Sequence, residues 1–545
     1  MSKLSLRPIP IREVFRWFDQ RRFAVPEIQR EFVWNAKRAC ALLDSIYKGY
    51  PVGTAMIWQT GREKQSQLRH SRHLLPPFDT ANRQVLFLLD GQQRLSVLYS
   101  VRRGEERENA SGRKIRFGDI CFSASEEWDR FVYLRRPDPE IHFRVADILS
   151  ERWRSHFRNV RPRVRSQIKR CRQRLLEYEL PFVFTRSREL REVREAFIRI
   201  NTQGMRISEA DRAFSTASAV RPLHRFRNLQ HGLAHGFNVL AKEVYWNTLA
   251  LVKGYNSFGQ TALVRLTKEL DQSEDAKQWF EEQEPKVAEA IRYATDYLAG
   301  PLGVTDYSLL PSVNMVSLLA LFFHSNGSRQ PTRRQKQHLA RWFWHTAVLN
   351  RYTGSRFRGA IKTDAEFMRA LAHRPRQAQY RITERAQPHI LRTQEYQVSS
   401  SLTRAFILLL RRQRPCYVTN GEPIHLGDVS SRRNNRDRHH IWPKKLLEEA
   451  GLAASRINSL CNICLLVAHD NRRIGRKRPA EYLEEFHRKR YFGRTMRSHL
   501  VPSGEDSPLW QPRTAKAFGE FLEQRRKLLE KAFNEAAGAK LFDSR

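Results

Sequence analysis

The feature that most constrains this chain is a stretch near its C-terminal end, DRHHIWPKKLLEEAGLAASRINSLCNICLLVAHDNRRIGRKRPAEY, which begins at residue 437. The residues in it whose side chains could act as a base or bind a metal are His439, His440, Asn458, Asn462 and Asn471. Phosphodiester hydrolysis needs a base that activates water and a divalent cation that holds the scissile phosphate, and these residue types can provide both. Because neighbouring side chains of an extended segment point to opposite faces, one histidine can face a metal while the other faces the attacking water.

A pair of adjacent histidines taken alone is more often a surface or capping feature. The ordered set HHIWP, NSLCNICLL and DNRRIGRKRPAEY is far more specific. It resembles the HNH (ββα-metal) nuclease domain at the C-terminus of GmrSD-type modification-dependent restriction enzymes. The resemblance implies that His440 is the general base, that His439 and Asn471 are metal ligands, and that Asn462 ties the metal loop together. It also makes the acidic Asp437 a third candidate ligand, for Mg²⁺ or Mn²⁺.

The charge balance predicts a polyanionic partner. The chain has 97 Lys and Arg against 57 Asp and Glu, a formal net charge of +40, and arginine suits phosphate through its planar fork. The alternative is a solvated surface or a generally basic proteome. Within the predicted nuclease segment, Arg472, Arg473 and Lys477 are the residues expected to hold the DNA strand.

Cellular compartment is predicted from what the sequence lacks. No apolar run is long enough for a bilayer, and the first residues, MSKLSLRPIPIREVF, have no signal-peptide core. The six cysteines are scattered except for Cys461 and Cys464, which lie in an apolar run. We therefore predict free thiols in a reducing cytoplasm and favour a core position over a zinc site for this pair.

A strand–turn–helix pattern marks the N-terminal half. Residues 85–89 form an apolar run, Asp90 and Gly91 break it, and apolar residues then recur at helical spacing. The start of such a helix offers backbone N–H groups to phosphate, and Arg94 is placed to pair with an anion. A bare Asp-Gly dipeptide is otherwise only a turn.

Together with QREFVW and FIRINTQG, the LDGQQR segment resembles the N-terminal domain of the same GmrSD family, which is SspE/BrxU-like and related to the ParB/sulfiredoxin fold. The resemblance implies binding and hydrolysis of a nucleoside triphosphate, GTP or UTP; there is no Walker motif. The residues expected to line that pocket are Gln29, Arg30, Asp90, Gly91, Gln92, Gln93, Arg94, Arg199 and Asn201.

The predicted fold class is α+β multidomain. A ParB-like α/β domain is expected at 1–211, a helical coupling segment at 212–415, the HNH domain at 416–500, and an amphipathic helix packing on the body within 501–545. The basic run 152–174 fits a solvated helix face and a DNA contact about equally well. Arg351, Tyr352 and Ser355 are predicted to close a helix end at Gly354, the alternative being that they face a ligand. His345 is predicted to be structural.

The first functional hypothesis is a nucleotide-regulated, metal-dependent endonuclease that defends against phage or modified DNA. One alternative is a nucleotide-hydrolysing, DNA-binding regulator whose HNH domain is inactive. Another is a basic scaffold that binds nucleic acid without chemistry, for which binding would depend on salt and not on metal. The sequence leaves the oligomeric state open, with a homo-oligomer among the alternatives.

Overall fold

The computed structural model describes residues 5–24, 34–61, 79, 81–82, 84–108, 114–125, 130–185, 209–217, 220–255, 257–354, 357–424, 438–465, 477–511 and 514–543. The chain forms two compact units, unit 1 at Met1–Ser218 and unit 2 at Ala219–Arg545. The division lies near the boundary predicted at 211. The three C-terminal segments predicted from the sequence lie together in unit 2, and their separation into domains stays a prediction.

Unit 1 is built around a sheet. Its strands are β1 (Ser5–Pro10), β2 (Phe23–Ala24), β3 (Ala55–Gly61), β4 (Gln84–Asp90), β5 (Glu106–Glu108), β6 (Lys114–Arg116), β7 (Ile120–Ser123), β8 (Phe131–Tyr133), β9 (His142–Arg144) and β10 (Glu179–Thr185). In the described ranges the main sheet has the order β1-β10-β3-β4-β2, with β10 parallel to β3 and β2 parallel to β4, and the other two pairs antiparallel. Residues 85–89 of β4 are all buried, as their continuous apolar run predicts.

The helices of unit 1 are α1 (Ile11–Asp19), α2 (Ala36–Lys48), α3 (Gln92–Arg103), α4 (Val145–Leu149), α5 (Trp153–His156), α6 (Pro162–Glu177) and α7 (Glu209–Thr216). Helix α2 begins at Asn35, whose side chain accepts from the Arg38 N–H, and ends at the left-handed Gly49. Apolar faces of α1, α2, α3 and α6 share one hydrophobic cluster with the sheet. This cluster fixes where β4 ends and α3 begins.

Unit 2 is mainly helical. Its helices are α8 (Pro222–His231), α9 (Lys242–Val252), α10 (Gln260–Gln272), α11 (Glu274–Ala299), α12 (Asn314–Ser325), α13 (Arg333–Leu349), α14 (Phe357–His373), α15 (Ile390–Thr393), α16 (Ser401–Arg412), α17 (Lys444–Glu449), α18 (Ala454–Ile457), α19 (Pro479–His487), α20 (Phe492–Ser498) and α21 (Thr514–Ala537). Residues 315–323 of α12 are all buried because this apolar helix packs against α9, α11 and α14.

Two short strands interrupt the helices of unit 2. β11 (Arg438–His440) and β12 (Ile463–Leu465) pair antiparallel. The C-terminal helix α21 packs against α13, α15 and α16. The presence of a sheet-containing N-terminal unit and of a mixed, mainly helical second unit agrees with the α+β multidomain class predicted from the sequence.

Two further features concern the cysteines and the apolar character of the helices. All six cysteines are buried and none forms a disulfide, which includes Cys461 and Cys464. Burial raises the pKa of both thiols to about 12, so they behave as apolar core groups. None of the helices in the described ranges combines the length and apolar composition that crossing a bilayer needs.

Candidate functional sites

The turn between β4 and α3 is held by an arginine. Arg94 donates through Nη1 to the Val52 carbonyl at 2.7 Å and through Nη2 to the Thr54 carbonyl at 2.8 Å. The same Nη2 lies 3.3 Å from Oδ2 of Asp90. Burial lowers the pKa of Arg94 and the nearby carboxylate of Asp90 opposes that shift. Arg94 therefore ties the loop before β3 to the start of α3.

Glycines make this close approach feasible. Gly91 has φ +88°, and a Cβ there would lie 3.0 Å from the Cβ of Ala55. Gly53 has φ +84°, and a Cβ there would lie 2.6 Å from Nη1 of Arg94. Both positions need the left-handed backbone and the missing side chain that only glycine offers without strain. The DG in the sequence is thus more than a generic turn, because the packing of the two loops depends on it.

The remaining predicted nucleotide residues are only partly described. Gln92 and Gln93 are buried at the start of α3, and the Asp90 side chain is 38% exposed. Gln29, Arg30, Arg199 and Asn201 lie outside the described residues. The described structure therefore brings Asp90, Gly91 and Arg94 together with residues 52–55.

This arrangement only partly fits a nucleoside triphosphate. Helix α3 starts at Gly91 with no side-chain cap, so its dipole and first N–H groups favour an anion. Arg94, however, already donates to two carbonyls and contacts Asp90, so a phosphate would compete for the same nitrogen atoms. Nucleotide binding by this region therefore stays a prediction, and the start of α3 is the part of the geometry that favours it.

In unit 2, β11 carries the histidine pair. The backbone of His439 lies opposite Cys464 and that of His440 opposite Ile463. Nε2 of His440 lies 3.0 Å from Oδ1 of Asn458, the residue that ends α18. Because an amide oxygen can only accept, Nε2 carries the hydrogen and Nδ1 is the basic nitrogen of this tautomer.

Asn462 directly precedes β12 and is fully buried. Its Oδ1 accepts from the Trp442 N–H at 2.9 Å, and its Nδ2 donates to the carbonyls of Trp442 at 3.1 Å and Ile457 at 2.9 Å. Its own carbonyl accepts from the Ile441 N–H at 2.8 Å. Asn462 therefore joins the segment that follows the histidines to the end of α18, and its catalytic role stays a prediction.

Two aromatic residues brace the same segment. The hydroxyl of Tyr482 in α19 donates to the Ile441 carbonyl at 2.8 Å. The indole of Trp442 packs on Phe518 and Phe521 of α21 with ring centroids 5.9 and 6.2 Å apart. Helices on both sides thus fix the residues that follow His440.

The sequence reading missed Arg525 of α21. This side chain is fully buried and donates to the carbonyls of Cys461 at 2.9 Å, His499 at 3.1 Å and Leu500 at 3.2 Å. Cys461 is adjacent to Asn462 in the chain. Burial lowers the pKa of Arg525, and no carboxylate among the described residues is bonded to it. The sequence does contain a sign that Arg525 is buried, because it falls on the apolar face of α21 formed by Phe518, Phe521, Leu522 and Leu529.

The predicted metal ligands are only partly testable. Asp437 and Asn471 lie outside the described residues, as do Arg472 and Arg473, whereas Lys477 is described and exposed. Imidazole nitrogen with carboxylate and amide oxygen is a donor set that Mn²⁺ accepts and Mg²⁺ tolerates, so the predicted residues fit such an ion chemically. Within the described ranges alone, no three His, Cys, Asp or Glu side chains are placed to hold a metal.

A second polar region lies around the end of α13. Asp364 is fully buried and accepts from Tyr352 at 2.5 Å, from Trp342 at 3.0 Å and from Arg351 at 3.0 Å. A cleft of about 910 Å³ opens beside Arg351 and Asp364. The helix ends at Leu349 before left-handed Asn350, and Ser355 lies outside the described residues.

His345 is structural, as predicted. It is fully buried, its Nε2 donates to the Glu384 carbonyl at 2.8 Å, and its Nδ1 accepts from the Tyr380 hydroxyl at 2.9 Å. Burial lowers its pKa to about 4. The imidazole is therefore neutral near pH 7 and serves as a hydrogen-bonding core group.

Comparison with known proteins supports one part of this picture. Residues 14–216 match the family described as GmrSD restriction endonuclease, N-terminal domain. The chain is also 22% identical over 515 residues to an uncharacterized protein of Methanocaldococcus jannaschii, with 85% of this chain and 84% of that protein covered. The family match supports a GmrSD-type restriction protein and implies DNA as a partner. It covers unit 1 and does not extend to the histidine pair.

Proposed function

We propose that this protein is a metal-dependent DNA endonuclease of restriction type, directed against phage or modified foreign DNA and regulated by a nucleoside triphosphate. The observation that carries the proposal is the pairing of His440 with Asn458 beside the buried, fully bonded Asn462. The pairing of β11 with β12, with α17 and α18 between them and α19 after them, adds support because paired strands followed by a helix are also the pattern of the domain that the sequence resembles. The restriction-family match of unit 1 supplies the biological context.

In this proposal His440 accepts a proton at Nδ1 as a water oxygen attacks phosphorus and the bond to the leaving oxygen breaks. Asn458 holds the imidazole in the tautomer with hydrogen on Nε2, and Asn462 keeps the chain on either side in register. Asp437, His439 and Asn471 would hold a divalent ion, which when bound stabilises the negative charge on the phosphate oxygens. Arg472, Arg473 and Lys477 would bind the strand.

Unit 1 is proposed to sense nucleotide or modified DNA and to control cutting. The family match supports a role in restriction, and the start of α3, which has no side-chain cap, supports an anion-binding function there. Arg94 takes a positioning role in this proposal, since its nitrogen atoms hold residues 52 and 54. The assay below tests whether GTP or UTP is bound and whether its hydrolysis activates or restrains cleavage.

The test is cleavage of phage DNA with modified bases against unmodified plasmid, with Mg²⁺ or Mn²⁺ and with or without GTP or UTP. We expect metal-dependent cutting that prefers modified DNA. His440→Ala should lower it by about 10²–10⁴-fold, the usual contribution of a general base. His224→Ala, at an exposed position of α8, removes the same side chain and should cut like the unaltered protein.

Each other result has a definite meaning. Equal cutting of both DNAs would keep the nuclease and remove the modification-sensing role. Cutting that persists in His440→Ala would contradict the assigned base. Nucleotide hydrolysis without any cleavage would replace the proposal by a regulator with an inactive nuclease domain, and salt-sensitive binding without either reaction would favour a scaffold.

A further inference from the structure

A continuous basic surface lies in unit 1. The segment 152–174 has ten Lys or Arg residues and no acid. In the structure it forms α5, a turn and α6, and every one of these cationic side chains except that of Arg172 is exposed. We call it the α5–α6 surface.

Internal contacts hold this surface in shape. Helix α6 buries Ile168, Cys171 and Leu175, which puts Lys169 and Arg170 on its outward side. Arg165 donates to the Val160 carbonyl at 2.9 Å and also to the Arg158 carbonyl, which fixes the turn before α6. The surface is therefore preformed and does not depend on acidic partners for its geometry.

Arg172 joins the two helices. It donates to the carbonyls of Ile148 at 2.6 Å and Ser150 at 3.0 Å, and its guanidinium lies 5.6 Å from the centre of the Trp153 ring. Burial lowers the pKa of Arg172, and the charges of Arg102 and Arg154 lower it further. Like charges crowd at this point, which is unfavourable for the free protein and favourable once a polyanion binds.

Three other exposed arginines of unit 1 each lie beside an acid. Arg16 lies 2.9 Å from Glu13, Arg116 lies 2.9 Å from Glu106, and Arg103 lies 3.6 Å from Glu105. On the α5–α6 surface, Arg161 lies 3.5 Å from Glu140, and both of those side chains are largely exposed. The α5–α6 surface differs from these three pairs in its density of positive charge, since its ten Lys and Arg residues have no acid within the same segment.

We propose that the α5–α6 surface binds the phosphate backbone of duplex DNA, an inference that rests on the DNA-directed function proposed above. Arginine and lysine at helical spacing suit phosphates, and such contacts position a duplex without reading its sequence. The Trp and Phe side chains of the segment do not offer a stacking platform for unpaired bases. Trp153 is covered by Arg154 and Arg172, and Phe157 is buried against Phe143.

The test is the salt dependence of binding to an unmodified DNA duplex, measured on the full chain in EDTA so that metal-dependent cleavage cannot interfere. The surface variant carries Arg154→Gln, Lys169→Gln and Arg170→Gln. The matched control carries Arg16→Gln, Arg103→Gln and Arg116→Gln, which changes the net charge equally in the same unit. A single Arg170→Gln variant, on the outward side of α6, guards against misfolding of the triple variant.

The slope of log binding constant against log salt concentration should decrease in magnitude by about 2–3 in the surface variant and by about 1 in Arg170→Gln. Affinity near 0.1 M salt should fall at least about tenfold in the surface variant, while the control binds like the unaltered protein. Equal behaviour of the surface variant and control, or no duplex binding by any of the proteins, would overturn the proposal. Cleavage measured separately with metal keeps the two proposals apart, since binding without cutting would leave this surface in place and remove the nuclease.

Discussion

Two arginines, one in each compact unit, hold loops by donating to backbone carbonyls, and their surroundings differ sharply. Arg94 bridges residues 52 and 54 to the start of α3, has Asp90 as an acidic neighbour, and keeps 18% of its side chain exposed. Arg525 reaches three carbonyls, is fully buried, and has no carboxylate bonded to it among the described residues.

The difference indicates what each region can do. Arg94 is partly exposed and contacts Asp90 as well as two carbonyls, so an anion at the α3 turn would compete with that carboxylate for the guanidinium. A fully buried arginine that satisfies three carbonyls has no alternative partner, because losing it leaves those oxygens unpaired. The region around His440 is therefore built to be rigid, whereas the region around Arg94 can adjust.

The largest expected effect comes from removing each arginine. Arg525→Met should lower the free energy of unfolding of unit 2 by about 3–5 kcal/mol, since three carbonyls lose their donor and two of those hydrogen bonds are buried. Arg94→Met should lower that of unit 1 by only about 1–2 kcal/mol. Denaturant unfolding followed separately for the two units measures both.

A conservative variant sharpens this result. Arg525→Lys keeps the charge and one or two donors, so it should recover part of the stability and of any metal-dependent cleavage. Equal losses for Arg525→Met and Arg94→Met would contradict the distinction drawn between the two regions.

The next effect is a pH dependence of unit 2. Burial, with a smaller contribution from the charge of Arg525, lowers the pKa of His499 to about 4, and the hydrogen bond from its Nε2 to the Cys416 carbonyl at 2.8 Å opposes part of that shift. The folded pKa lies below the unfolded value, so this stabilisation is complete above about pH 6.5 and is lost as pH falls towards 4. The pKa of His345 is lowered in the same way, and each of the two histidines contributes up to about 3 kcal/mol to the free energy of unfolding above about pH 6.5.

The measurement is the free energy of unfolding between pH 7 and 5, compared with that of His499→Gln. Glutamine can still donate to the Cys416 carbonyl but does not titrate in this range. Its curve should fall less steeply with acid than that of the unaltered protein. Parallel curves would show that His499 is not buried as a neutral group.

A further effect concerns the turn held by Arg94. Gly91→Ala should cost unit 1 about 1–3 kcal/mol, since the backbone has φ +88° and the new Cβ would press on Ala55. Gly49→Ala is the matched control: φ is +75°, but nothing lies within 4 Å of the new Cβ. The midpoint temperature of thermal unfolding should therefore drop more for Gly91→Ala than for Gly49→Ala. Equal drops would mean that backbone strain alone accounts for the loss of stability.

Local patterns were predictable from the sequence where they depend on neighbours in the chain. The apolar run at 85–89 and the helical spacing after it identified β4 and α3, and the apolar stripe of the last segment identified α21. The histidine pair and Asn462 were singled out from their spacing and from a family resemblance. Asn462 then proved to be the buried link between the two sides of that segment.

The partners of the arginines could not be predicted in the same way. Arg94 was expected to bind an anion, but the fold places the carbonyls of Val52 and Thr54 against its nitrogen atoms. Arg525 was not recognised because its acceptors lie 25 to 64 residues away in the chain. Backbone carbonyls carry no sequence signature, so a pattern of side chains cannot reveal which of them will need a donor.

The sequence by itself therefore determined the elements, the α+β class and the residue types available for chemistry, because hydrophobic periodicity and turn residues act over a few positions. Only the tertiary structure decided which polar groups are buried together. Burial makes an unpaired donor or acceptor costly, and this cost, which depends on distant segments meeting, selects the partners of Arg94, Asn462 and Arg525.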